Sequence, residues 1–131
     1  MPVTFTEREL DVMTVLWDAG PSTAAEVRSH LGIDLAYNTV LSVLRTLEEK
    51  GHVGHAVEGK AHRFRALVRR AEAGRSAVGR LLDTVFGGSA ELMLTQLVGD
   101  QRVDAQQLKA LRKLLDDRIA KESRLRRGGE G

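Results

Sequence analysis

Apolar residues recur along this chain at two different periods, and the places where the period changes mark out its elements. Thr6 followed three residues later by Glu9 has the form of a capping box, in which hydroxyl and carboxylate each satisfy an orphan amide of a first helical turn. Leu10, Met13, Val15, Leu16 and Trp17 then follow at helical spacing until Gly20-Pro21, a pair that ends a helix. Thr23 with Glu26 repeats the capping box ahead of Ala24, Ala25, Val27 and Leu31, and Gly32 closes a short second helix. A third helix is predicted from Tyr37 to Lys50, closed by Gly51. Tyr37, Val40, Val43, Leu44 and Leu47 form its inward side. At 100° per residue, Asn38, Ser42, Arg45 and Glu49 fall on the opposite side with Thr39 and Thr46 at its margin, an outward strip that is polar and mostly uncharged.

After Gly51 the period becomes two. His52 to Val57, a turn at Glu58-Gly59-Lys60-Ala61, and His62 to Leu67 predict a β-hairpin, with Arg63 and Arg65 pointing outward from one face and His62, Phe64 and Ala66 on the other. Helical spacing returns over Glu72–Phe86, breaks at Gly87-Gly88-Ser89 and resumes over Glu91–Val98. Asp104 with Gln107 announces a last helix, in which Leu108, Leu111 and Leu115 step by three and four residues with Leu114 and Ile119 alongside. Leu81, Leu82, Val85, Phe86, Leu92, Met93, Leu97, Leu108, Leu111, Leu115 and Ile119 are therefore the candidate dimerisation residues. About 60 residues in thin helices are too few to bury such a stripe within one chain. The fold class is mainly α with a small β-hairpin: a winged helix-turn-helix over residues 1–70, a helical dimerisation region over 71–124, and a polar, basic, glycine-ended tail over 125–131 expected to be disordered.

Composition narrows the chemistry. The 131 residues contain no cysteine, which removes disulfides, thiolate catalysis and cysteine-based metal sites and suits a reducing compartment. No signal-peptide pattern opens the chain, and no apolar run approaches the roughly 18 residues of a membrane helix, so a cytoplasmic location without membrane insertion is expected. The net charge of +2 hides an uneven distribution. Met1–Ala36 has two bases against six acids, a net −4, whereas Tyr37–Arg70 has seven bases against three acids, a net +4. The second stretch invites a polyanion.

Two capped short helices, a third with a polar outer strip, and a basic hairpin are the parts of a winged helix-turn-helix whose third helix enters the major groove. Lys60, Arg63 and Arg65 are then candidate phosphate contacts, and Asn38, Thr39, Ser42, Arg45 and Thr46 candidate base contacts, since short polar side chains and an arginine on a helix read base edges. A helical interaction module that uses the basic face on another acidic partner is the alternative, and a steep salt dependence separates the two. His52, His55 and His62 suggest a metal site, but His52 and His55 point to opposite faces of a strand and share no apex. No phosphate loop, HExxH or GxSxG is present, so neither an enzyme nor a cofactor is expected.

The run Tyr37-Asn38-Thr39-Val40-Leu41-Ser42-Val43-Leu44-Arg45-Thr46-Leu47-Glu48-Glu49-Lys50-Gly51 resembles the recognition-helix signature of the penicillinase-repressor family (BlaI/MecI/CopY), roughly Y-x-T-V-x-[ST]-x-L-x-R-L-x-x-K-G. Glu58-Gly59-Lys60-Ala61-His62-Arg63-Phe64 is similar to that family's wing, Thr6 to Trp17 to its opening helix, and Phe86-Gly87-Gly88-Ser89 to its hinge. The resemblance implies a homodimeric repressor on a pseudo-palindromic DNA operator, commonly of TACA and TGTA half-sites, with Thr39 and Ser42 approaching bases. Thr46 stands where the family usually has arginine, and Arg45 supplies a guanidinium one residue earlier. The resemblance also implies induction through a membrane sensor-protease pathway, with cleavage in the helix after the hinge; the matching position here is Thr95-Gln96 in place of the usual Asn-Phe. Metal sensing through C-terminal cysteines, as in the copper-responsive branch, is ruled out by composition.

Overall fold

The computed structural model describes residues 3–129. In chain order the elements are α1 (Glu7–Ala19), β1 (Ser22–Thr23), α2 (Ala24–His30), α3 (Tyr37–Glu49), β2 (Val53–Glu58), β3 (Ala61–Ala66), α4 (Arg70–Thr84), α5 (Ala90–Val98) and α6 (Ala105–Gly129). They form two compact units, one up to Arg80 and one from Leu81 on.

In the first unit α1 begins at the expected capping box: Thr6 Oγ1 accepts from the Glu9 amide at 3.1 Å while the Glu9 carboxylate accepts from the Thr6 amide at 2.8 Å. The second box closes only halfway. Thr23 caps α2 by accepting from the Glu26 amide, but the Glu26 carboxylate does not turn back to the cap; it reaches Arg63 on β3 instead. A charged partner outcompetes a single backbone amide for that carboxylate.

The hairpin is closed by the two residues Gly59-Lys60, between the paired Glu58 and Ala61. Gly59 has φ 62° and Lys60 a negative φ, the type II′ arrangement that needs glycine first and matches strand twist. The structure adds a third strand that no hydrophobic alternation announces: Ser22–Thr23 pairs antiparallel with β3, Ser22 opposite Phe64 and Thr23 opposite Arg63, so the sheet order is β1-β3-β2. Two residues are too short for any periodicity.

The core of this unit consists of Val12, Met13, Val15 and Leu16 of α1, Ala24 and Val27 of α2, Val40, Leu44 and Leu47 of α3, Val53 of β2 and Phe64 of β3. Trp17 lies against it and donates Nε1–H to the Val68 carbonyl at 2.8 Å. Tyr37 departs from the expected inward side: it is 45% exposed, because it precedes the first core position of α3 by nearly a full turn and stands at the helix entrance. The unit extends ten residues past the expected end at 70, since Ala73 is buried and Ser76 Oγ donates to the Val3 carbonyl at 2.8 Å.

In the second unit α5 is capped by Ser89 and α6 by the reciprocal Asp104–Gln107 pair. No residue of α5 or α6 is buried. α6 runs through to Gly129, where a disordered tail from residue 125 was expected. The Arg118–Glu122 ion pair lies along it, and Arg126 and Arg127 oppose the negative end of the helix dipole. Residues 130 and 131 of that expected tail lie outside the described residues. No helix among the described residues is long and apolar enough to cross a membrane.

Phe64 of β3, only 2% exposed, packs in the same core cluster as residues of α1, α2 and α3. Phe64→Ala is expected to cost about 3–5 kcal/mol of unfolding free energy, read from the urea midpoint; a loss under about 1 kcal/mol would contradict this packing.

Candidate nucleic-acid interface

Burial of Val40, Leu44 and Leu47 at 0% exposure orients α3, and the opposite strip follows from that. Asn38, Thr39, Ser42, Arg45 and Thr46 are all exposed. The side chains of Asn38, Thr39 and Ser42 make no hydrogen bond to any described residue, so their donors and acceptors are open. Thr46 differs: its hydroxyl donates to the Ser42 carbonyl of its own helix at 3.0 Å. Arg45 shares a stripe with Tyr37 and Leu41, and all three line a groove between α3, the start of α2 and the hairpin, where Lys60 and His62 form the far wall.

Two ion pairs fix the far end of α3. Lys50 Nζ lies 2.8 Å from Glu9 Oε2 and 3.0 Å from Oε1, which ties the last turn of α3 to the first turn of α1. Burial alone would raise the Glu9 carboxyl, but the Lys50 ammonium and the Thr6 amide and hydroxyl outweigh it and hold the group below its ordinary value. Glu48 Oε2 is 2.5 Å from His55 Nδ1, joining α3 to β2. His55 stacks on His62 with centroids 4.2 Å apart, while His52 lies elsewhere, edge-on to Phe5 at 5.1 Å. Among the described residues no group of three or more His, Cys, Asp or Glu could hold a metal.

The basic residues divide into two classes that charge counting cannot separate. Lys50 is held by Glu9, and Arg70 is held by Asp18 at 2.6 Å while lying over the Trp17 ring. Arg63, expected to point outward beside Arg65, instead reaches Glu58, Glu26 and the Pro21 carbonyl. Arg45, Lys60, Arg65 and Arg69 have no ion pair with any described residue, and all four are exposed. Arg69 follows the second strand, outside any alternating pattern, so its place on the hairpin's flank is not marked in the sequence.

In the second unit Leu81, Val85, Leu92, Leu97, Leu108, Leu115 and Ile119 are 38–68% exposed, and Leu82, Phe86, Met93 and Leu111 are half-buried. Val98, Leu114 and Leu125 add further exposed apolar surface. Thr95 and Gln96 sit inside α5; the Thr95 hydroxyl donates to the Glu91 carbonyl at 2.7 Å, and the Thr95 carbonyl accepts from the Gly99 amide. A protease would reach that bond only after the turn opens.

Residues 5–117 match the family model described as penicillinase repressor. The chain is 34% identical over 114 residues to the transcriptional regulator BlaI of Mycobacterium tuberculosis, in strains CDC 1551 / Oshkosh and H37Rv, covering 82% of this chain and 79% of that protein. Among solved structures it is similar to a MarR family protein from Bacillus stearothermophilus, with TM-score 0.49 and 18% identity over 89% of this chain and 77% of that one. A further likeness is to Streptococcus pneumoniae FabT, solved in complex with DNA, with TM-score 0.45 and 16% identity over 86% of this chain and 77% of the other.

Because the Glu9 carboxyl titrates lower in the folded chain than its ordinary 4.5, its contribution to stability is complete above that value and fades as the pH falls through the folded one. Glu9→Gln should therefore destabilise by about 1–2 kcal/mol at pH 7, with the gap from the native protein narrowing in urea titrations as the pH falls below 4.5. A gap that is constant with pH would show that Lys50 is not held by the charge.

Proposed function

The chain belongs to the penicillinase-repressor family, and on that premise we propose that it is a homodimeric transcriptional repressor that sets α3 in the major groove of a pseudo-palindromic operator. The observation that carries this reading is the division of α3 into a fully buried face and an exposed face whose Asn38, Thr39 and Ser42 side chains have no hydrogen-bond partner among the described residues. Open amide and hydroxyl groups on an exposed helix can exchange water for base edges at little cost, and Asn pairs with adenine in the major groove. Lys60 at the hairpin turn, with Arg65 and Arg69, supplies uncommitted cations for the flanking phosphates. Arg45, which lines the groove between α3 and the hairpin, stands between these two roles.

Homodimerisation is supported by the second unit, whose α5 and α6 bury no residue of their own. Helices this apolar and this thin reach a stable state by covering the stripe with a second copy, which also brings two copies of α3 to half-sites one helical turn apart, about 34 Å. Proteolytic induction by a sensor-protease at Thr95-Gln96 belongs to the same reading. It requires α5 to unwind first, and the buried interface of a dimer would oppose that.

Selection from a random duplex pool should yield a palindromic site, and binding to it should weaken steeply with salt. Arg65→Ala or Lys60→Ala is expected to reduce the log–log salt slope by about one and to weaken all sequences alike, whereas Asn38→Ala or Ser42→Ala should change the preferred bases at a cost of about 1–3 kcal/mol each. Binding that is indifferent to salt and sequence would favour an acidic protein partner instead.

Leu115→Glu places a charge in the apolar stripe of α6, where Leu115 is 47% exposed. It should leave a folded monomer by analytical ultracentrifugation at micromolar concentration and weaken operator binding by about a hundredfold through loss of the second half-site. A monomeric native chain would overturn the dimer.

A further inference from the structure

Arg63 is the most heavily bonded side chain on the face proposed to meet DNA. Its Nε donates to Glu58 Oε2 at 2.5 Å and its Nη2 to Glu58 Oε1 at 3.2 Å. Nη2 also donates to Glu26 Oε1 at 3.1 Å, while Nη1 donates to Glu26 Oε2 at 3.3 Å and to the Pro21 carbonyl at 3.1 Å. A guanidinium has five N–H donors, and these five contacts use them all. No donor remains for a phosphate oxygen.

Those contacts join the turn before β1, the first turn of α2, and the end of β2 where the hairpin tip begins, around the Thr23–Arg63 pair of the β1–β3 ladder. The β1–β3 pairing that accompanies them covers only two residues, Ser22 and Thr23. Two rungs of ladder constrain the hairpin's angle only weakly on that edge, and a forked side chain spanning it adds a second, charge-assisted constraint. The Glu58 carboxyl is lowered by its hydrogen bond to Arg63, and Arg63 is raised, first by Glu58 and then by Glu26, so the two acids act together on one cation.

Resting on the DNA-binding reading above, we propose that Arg63 is a positioning residue, a clamp between Glu26 and Glu58 that sets where the hairpin tip and Lys60 stand relative to α3, and that it takes no phosphate itself. The opposite role, a phosphate contact, is what charge and alternation alone assign to it, and the two make opposite forecasts. Removing the negative charge of Glu26 strengthens binding if only the field matters. It weakens binding if the clamp matters. Lysine at position 63 keeps the charge but loses the fork, so it preserves a phosphate contact and breaks a clamp.

The test uses the full-length protein and four variants: Glu26→Gln, Arg63→Lys, Arg63→Ala and Glu26→Gln combined with Arg63→Ala. Amide hydrogen exchange is measured first, without DNA. Exchange at Gly59, Lys60 and the β1–β3 amides should accelerate in Glu26→Gln and Arg63→Lys while the thermal midpoint stays close to native, as expected for partly exposed ion pairs. Anisotropy titration against the selected duplex follows over a range of salt. Glu26→Gln and Arg63→Lys should each bind about three- to tenfold more weakly through loss of preorganisation, with the native salt slope, and the double variant should bind no worse than Arg63→Ala alone. Native exchange rates in Glu26→Gln overturn the clamp whatever the DNA result. A native-like Arg63→Lys, tighter binding by Glu26→Gln, or a salt slope reduced by about one in Arg63→Ala overturns it as well. If exchange accelerates but even the native protein binds no duplex, the clamp stands and the DNA-binding reading fails.

Discussion

Val40, Leu44 and Leu47 project from one side of α3 into the space between α1, α2 and Phe64, and all three are completely buried. Each such side chain contributes roughly 1.5–3 kcal/mol by leaving water, so rotating α3 about its axis would expose several kcal/mol of apolar surface and bury Asn38 and Ser42 without partners. The helix is held to a single rotation. The Lys50–Glu9 pair and the Glu48–His55 contact then fix its far end against α1 and β2. The polar strip is thus presented by default: it is what remains outside once the apolar side has been seated.

Electrostatics on the same face follow a different logic. A net +4 over Tyr37–Arg70 treats every base as available, yet Lys50, Arg63 and Arg70 are each held by a carboxylate of the protein. The remaining cations are fewer but better placed, since Lys60 and Arg65 lie on the hairpin and Arg45 on the wall of the groove beside it. Neutralising part of the positive charge internally exchanges a diffuse field for ion pairs that link neighbouring elements.

Most of the first unit was legible because its signals are local. Caps at Thr6 and Thr23, the stops at Gly20 and Gly51 and the change of period after Gly51 each involve residues within a few positions of one another. The outward strip of α3 was legible for the same reason, as helical geometry fixes opposite faces. What escaped depends on contacts distant in sequence. β1 exists only because β3 offers an edge; Glu26 leaves its cap for a residue 37 positions away; the first unit takes in the start of α4 through Ala73 and the bond from Ser76 to Val3. The continuation of α6 to Gly129 escaped for another reason, since composition suggested fraying where i, i+4 pairs and the dipole favour a helix.

In the proposed complex the α3 strip faces base edges in the major groove, twice per dimer. Dimethyl sulfate footprinting on a selected operator reads this directly, because guanine N7 lies in the major groove and adenine N3 in the minor. Guanine N7 protection is expected in two patches centred about one helical turn, roughly 10 base pairs, apart. Protection confined to adenine N3, or a single patch at saturating protein, would contradict it.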